Sequence, residues 1–311
     1  MIKDIEQAIM ATLVYFDLFD YPLTIFEIQK RLFGNKTEIS NIFDKLQLLQ
    51  GKGIIGLKNG FYFLNGKDWI IQQRLERYLP ANKKFKKALR IAKMFRWLPF
   101  IKVIFVCNDL AYSNAPEESD IDLAIITSRK RIWLTRFFTV SLLKVLGLRP
   151  TSSKTKDKIC LTFFVSEDNL NLQDLMINHQ DIHFIYWLAQ FVPIYIKDDS
   201  IWQKFIQVNH WLKEYLPNWQ PYQMTPQRQI KPLPKLTSFV LNLSGKLVTN
   251  LDEKFYKWLQ LKIMPKRLKR MANQDTRVTI NDQILKFHDK DNRREIQEKF
   301  NQIYESIKEN N

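Results

Sequence analysis

One stretch, residues 101–127 (IKVIFVCNDLAYSNAPEESDIDLAIIT), constrains the fold of this chain more than any other. Its two ends, 101–107 and 121–127, are short apolar runs rich in β-branched residues, the pattern of buried strands. Between them stand Asn108, Asp109, Ser113, Asn114, Pro116, Glu117 and Glu118, residues that make turns and cap helices. Asp120 and Asp122 sit at the mouth of the second run. Alternate side chains of a strand share a face, so two carboxylates separated only by Ile121 point the same way. Like charges so close are costly unless a proton or cation lies between them. Carboxylates combined with phosphate oxygens are the ligands Mg²⁺ prefers, so the spacing points to a Mg²⁺–nucleotide site. The plainer reading is two carboxylates in a solvated turn.

The run Ser119-Asp120-Ile121-Asp122-Leu123, about ten residues after a strand end, resembles the signature of the polymerase-β-like nucleotidyltransferase superfamily. That signature is Gly-Ser, then x-Ala-x-Gly, then Ser-Asp-x-Asp on the next strand. Ala111, Ser119, Asp120 and Asp122 match it. The resemblance implies that Asp120 and Asp122 are catalytic and bind two Mg²⁺ ions. It also implies that Asn108, Asp109 and Ser119 line the turn that holds the triphosphate of a nucleotide substrate. The chain departs from the signature at three positions: Asn108-Asp109 replaces Gly-Ser, and Ser113 replaces the later glycine. An Asp at the start of the following helix either sets negative charge where a phosphate would dock or caps the helix itself.

The N-terminal 65 residues carry a second pattern. Helical spacing of apolar residues is expected over 5–19, 25–33 and 36–50, with Thr24 and Glu27 forming a capping box. Lys58-Asn59-Gly60 between the apolar runs 54–57 and 61–64 predicts a hairpin. Three helices and a hairpin resemble a winged helix-turn-helix, whose third helix usually enters the DNA major groove. Here that helix offers Lys36, Asn41, Lys45 and Gln47 but also Glu38 and Asp44, so a protein-interaction role stands beside DNA binding. Two further helices, 68–80 and 82–95, are expected on either side of Pro80. The second carries Lys83, Lys84, Lys86, Lys87, Arg90, Lys93 and Arg96 without an acid, a face that would guide phosphates or simply be solvated.

Beyond 127 the pattern gives a helix at 132–146, a strand at 159–165, and helices at 181–192, 201–215, 239–264 and 289–308, with 275–287 too mixed to assign. The superfamily's third carboxylate often comes from such a later strand, but 159–165 contains no acid, and Asp157 and Asp168 flank it. Arg129, Arg131 and Arg136 are candidate phosphate ligands or helix-solvating residues. His179 and His183 are four apart but lack a third ligand, and read as structural. The layout from Tyr21-Pro22-Leu23-Thr24 through Lys158-Ile159-Cys160-Leu161 resembles prokaryotic nucleotidyltransferase-domain proteins that carry a winged helix ahead of the catalytic-type domain.

A formal net charge of +16 favours an anionic partner, nucleotide, nucleic acid or acidic membrane, unless the lysines are merely spread over the surface. Two cysteines, Cys107 and Cys160, support neither a disulfide framework nor a zinc site. No uninterrupted apolar run reaches membrane-spanning length, and the first residues lack a signal-peptide layout, so a cytoplasmic protein is expected. The reading is an α/β (α+β) chain in four parts. Residues 1–65 are a winged helix, 66–100 a basic helical connector, 101–175 a nucleotidyltransferase-like domain with a mixed sheet and flanking helices, and 176–311 a helical region. The expected activity is Mg²⁺-dependent transfer of a nucleoside monophosphate from an NTP to a hydroxyl acceptor. The alternatives are a catalytically degenerate nucleotide- or nucleic-acid-binding regulator on the same fold, and a module that recruits a protein partner.

Overall fold

The structure, a computed structural model, describes residues 4–151, 153–223, 225–246 and 250–309. Three N-terminal helices, α1 (Ile5–Asp17), α2 (Ile25–Arg31) and α3 (Ile39–Gly51), precede a hairpin of β1 (Ile55–Lys58) and β2 (Phe61–Leu64). The capping box at Thr24 and Glu27 is present. Asn59 and Gly60 take left-handed φ values of 53° and 78°, as a tight two-residue hairpin turn requires. Leu23, ahead of α2, bridges Tyr62 of β2.

The next helix, α4 (Trp69–Phe95), is continuous through Pro80, where two helices were expected. Proline removes one intrahelical hydrogen bond, and burial of Ile70, Ile71, Phe85, Ile91 and Phe95 holds the helix on both sides of it. Arg74 of α4 clasps α2: its two terminal nitrogens donate to the two Glu27 oxygens at 2.8 Å each, and it also donates to the Pro22 carbonyl.

A six-stranded mixed sheet forms the centre, in the order β6-β3-β4-β5-β8-β7. Its strands are β3 (Ile101–Val106), β4 (Ile121–Thr127), β5 (Ile159–Ser166), β6 (Val192–Ile196), β7 (Val278–Ile280) and β8 (Ile284–Phe287). β4 and β5 are parallel and the other pairs antiparallel. The short helix α5 (Asn108–Ala111) lies between β3 and β4, and α6 (Ile132–Val145) makes the crossover from β4 to β5. The region read as helical from 176 onward thus contributes three strands. In it, α7 (Ile182–Ala189) is shorter than expected, and 201–215 divides into α8 (Asp199–Val208) and α9 (Leu212–Tyr215). The stretch 239–264 falls in α10 (Lys235–Lys246) and α11 (Asn250–Ile263); α12 (Lys266–Met271) and α13 (Arg293–Glu309) follow.

Alternation along the strands feeds two cores. Val103, Phe105, Ala124 and Ile126 face α1, α7 and α8, whereas Ile104, Val106, Leu123 and Ile125 face α4 and α6. The N-terminal helices share the first core. Tyr15 stacks on Tyr186 of α7 with ring centroids 4.2 Å apart, and the Tyr186 hydroxyl donates to the Arg31 carbonyl at 2.8 Å. Among the described residues no helix is long and apolar enough to cross a membrane.

Candidate functional site

Asp120 and Asp122 open β4 on the face that carries Ala124 and Ile126, the side toward α1 and α7. There they border a cavity of about 640 Å³. Its walls come from the aromatic side of α1, the β3–β4 turn with the strand ends, α7, and residues 286–293. Asn108, Asp109, Ser119, Asp120 and Asp122 all line it.

The turn between β3 and β4 is shaped by two non-glycine residues in the left-handed region. Asn108 has φ 55° and Ser113 has φ 57°. These are the two positions at which the nucleotidyltransferase signature carries glycine, and Asn is among the few other residues that adopt such a φ readily. Asn108 is held on both sides. Its Oδ1 accepts from the Trp187 indole at 2.6 Å, and its Nδ2 donates to Asp122 Oδ2 at 2.8 Å. Asp109 faces the cavity, where enclosure raises its carboxyl pKa, Arg77 partly offsets that, and Asp120 adds to it. Ser119 Oγ donates to the Pro116 carbonyl at 2.9 Å, so its hydroxyl braces its own turn.

Behind the turn lies Lys84, one of the lysines of the basic helix. It is 2% exposed, and its ammonium spends its three donors on Glu117 O (2.9 Å), Ser119 O (2.7 Å) and Asp157 Oδ1 (2.8 Å). Lys84 therefore anchors the segment that presents Asp120. Of the basic residues after Pro80 in this helix, Lys83, Lys86, Arg90 and Lys93 are exposed. Asp157 is committed to Lys84. Asp168 lies at the far end of β5 and pairs with Arg129 at 3.3 Å. Neither supplies a third acid beside Asp120 and Asp122.

The neighbour that does reach the pair is Cys160. Asp122 and Cys160 are register partners on β4 and β5, and one donor atom from each of Asp120, Asp122 and Cys160 lies within 4.8 Å of the others. A register shift follows at once: Ala124 pairs with Phe163, so Leu161 and Thr162 together oppose Leu123. Such a bulge re-aims side chains. It lets Cys160 and Phe163 occupy the same face, although strict alternation would separate them.

The electrostatics of the pair are unbalanced. Burial raises the Asp122 carboxyl pKa, Asp120 raises it further, and hydrogen bonds from Asn108 and Cys160 only partly offset this. Asp120 is likewise raised by burial, against its own backbone N–H, Cys160 and Lys84. Burial and the two carboxylates push the Cys160 thiol well up. The cavity holds one more unmet group: Asn114, 4% exposed, has a buried Oδ1 with no hydrogen-bond donor.

The opposite wall was not foreseen. Lys286 and Arg293, 2% and 4% exposed, interlock with Asp181 and Asp291. His288 Nε2 lies 3.0 Å from Thr162 Oγ1, and His183 Nδ1 lies 3.1 Å from the Tyr15 hydroxyl. Burial lowers the two imidazole pKa values, to about 3 for His288 and about 4 for His183, so both rings are neutral near pH 7. His179 is exposed and ahead of α7, so it does not share a helical face with His183. Arg129, Arg131 and Arg136 do not border the cavity. Arg129 and Arg131 follow β4 at its other end, and Arg136, in α6, lies over the Phe287 ring at 4.4 Å. The N-terminus of α6 beside them is filled by Glu253, which accepts from the Trp133 and Leu134 N–H groups at 2.8 and 3.0 Å.

No known protein family, no curated protein and no solved structure matches the chain.

Proposed function

We propose that the cavity binds a nucleoside triphosphate with a divalent cation at Asp120 and Asp122 and transfers the nucleoside monophosphate to a hydroxyl acceptor, in the manner of polymerase-β-like nucleotidyltransferases. The observation that carries this reading is the turn. Both glycine positions of the signature keep a left-handed backbone, and the turn stands against a carboxylate pair at a cavity wall. The donor set fits a cation: two carboxylates on one face, each with a raised pKa, and among the described residues no basic side chain hydrogen-bonded to either.

When bound, Mg²⁺ supplies charge neutralisation for the triphosphate and the leaving pyrophosphate. The protein's own part is positional. Asn108 fixes Asp122, and Lys84 fixes the Ser119–Asp120 segment. The third carboxylate of the site is Asp109, which comes from the turn and not from β5. With its pKa raised, it is the group placed to take the proton of an acceptor hydroxyl. The aromatic wall of Tyr15, Phe16, Phe19 and Trp187 excludes water and offers ring faces to a base or an acceptor.

The test is calorimetric titration of the four NTPs with and without Mg²⁺ or Mn²⁺ on the wild type, Asp120→Asn and Asp122→Asn, with pyrophosphate release measured in parallel. Metal-dependent binding lost in both variants supports the site. Absence of binding for every NTP removes the reading.

A second reading, a nucleotide- or nucleic-acid-binding regulator without turnover, is favoured by two observations. Asp109 places negative charge where a phosphate would dock, and Cys160 stands where a carboxylate would. The acid-free stripe of Lys83, Lys86, Arg90 and Lys93 gives it an anionic partner, and the N-terminal helices and hairpin, read as a winged helix, give it a second docking face. Binding of nucleic acid that weakens steeply with salt, without pyrophosphate release, supports this reading; salt-independent binding counts against it.

A further inference from the structure

We propose that Cys160 is a direct metal ligand and that the cation held beside Asp120 and Asp122 is a thiophilic one, of the Zn²⁺ class. The inference rests on the preceding assignment of the carboxylate pair as a cation site and deepens it. Three observations converge. The donor atoms of Asp120, Asp122 and Cys160 lie within 4.8 Å of one another, close enough to share one ion. Asp122 and Cys160 are register partners on adjacent parallel strands, so their side chains leave the sheet on the same face. Asn114, 4% exposed on the same cavity wall, keeps a carbonyl oxygen without a donor, as a site short of a bound partner would.

The choice of metal follows from the ligands. Mg²⁺ and Ca²⁺ take oxygen ligands and gain nothing from sulfur. A thiolate selects softer ions, and three protein ligands facing a cavity leave a position open for water or substrate, as catalytic zinc sites do. Binding forms a metal–sulfur bond and releases the Cys160 thiol proton to solvent, so no oxidant or reductant is involved. Phosphoryl chemistry at the pair is compatible with such an ion, and the nucleotide reading does not depend on which cation serves.

The experiment is titration of the full chain with Cd²⁺ alone, followed by its sulfur-to-metal charge-transfer absorption in the ultraviolet. Wild type, Cys160→Ser, Cys107→Ala and Asp122→Asn are compared, with circular dichroism as the folding control. The expected result is a saturating band in wild type and Cys107→Ala, displaced by Zn²⁺ but not by excess Mg²⁺. In Cys160→Ser the band should vanish and Cd²⁺ affinity fall by about 100-fold or more, since loss of even an outer-shell partner costs about 10–100-fold. Asp122→Asn, which keeps both thiols, should bind Cd²⁺ more weakly with the band still present at saturation. A folded wild type without the band overturns the proposal, as does a band that survives Cys160→Ser. If Mg²⁺-dependent NTP binding persists while the band is absent, the thiolate proposal alone fails. If both are absent, the carboxylate site fails with it.

Discussion

Two clusters of ionisable side chains, one buried and one half-buried, line opposite walls of one cavity, and they are built on opposite principles. On the wall from residues 286–293, two carboxylates meet two cations. Arg293 reaches Asp181 and Asp291 at 2.8 Å each, and Lys286 reaches Asp291 at 3.3 Å. Burial alone would raise Asp291, but Arg293 and Lys286 hold its pKa below the ordinary carboxylate value, while burial lowers Lys286 to about 8. On the β4 wall, Asp120 and Asp122 meet an amide and a thiol, and both carboxyls are raised. A closed cluster satisfies itself and holds the fold. An open one asks for a partner from outside, and the β4 wall is the one for which a ligand is proposed.

Breaking the closed cluster should have the largest effect. Arg293→Met leaves Asp181 and Asp291 short of their cation and should cost about 3–5 kcal/mol in denaturant unfolding. A stability unchanged within error would mean the cluster is not closed as described. Lys84→Met removes an ammonium with three acceptors and should cost about 2–3 kcal/mol. It should also weaken metal binding by about tenfold through the loosened Ser119–Asp120 segment, measurable in the same titrations.

The histidines between the clusters sharpen the comparison by pH. Their folded pKa values lie below the unfolded value of 6.5, so the unfolded chain takes up protons first on acidification. Their stabilisation is complete above 6.5 and is lost as the pH falls toward about 4 for His183 and about 3 for His288. Between pH 6.5 and 5.5 each should cost about 1 kcal/mol, and His183→Gln with His288→Gln should flatten that slope.

The smallest effect has the opposite sign. The folded pKa of Asp122 is raised, so its ionised form destabilises the native state at neutral pH. Asp122→Asn should raise stability by about 1 kcal/mol at pH 7 while weakening metal binding. A loss of stability instead would mean that Asp122 is already compensated and the β4 wall is not open.

The parts of this arrangement legible in the sequence are those fixed by local pattern. The capping box at Thr24, the Asn59-Gly60 turn, and the apolar runs of β3, β4 and β5 follow from residues adjacent in the chain. The parts that were not legible depend on distant partners. β6 contains Pro193, which argues against a strand until its place at the edge of the sheet is known. β7 and β8 are three and four residues long, and β8 carries a lysine whose burial makes sense only with Asp291 and Thr276 around it. The site divides in the same way. Asp120, Asp122, Asn108, Asp109 and Ser119 came from one short motif. Cys160 was hidden by a bulge that alternation does not reveal, and Lys84 looked like one more surface charge among six basic neighbours.

The sheet order also bears on how the protein is made. β5 is flanked by β4 on one side and on the other by β8, which lies more than a hundred residues later in the chain. A ribosome that has delivered everything through α9 has released the carboxylate pair and the aromatic wall but not residues 284–293. Until those emerge, one edge of β5 is unpaired and the cavity lacks a side. The three proposed metal ligands emerge early, whereas the closed cavity waits for the C-terminal strands, and a chaperone that covers an open strand edge would have most to do in that interval.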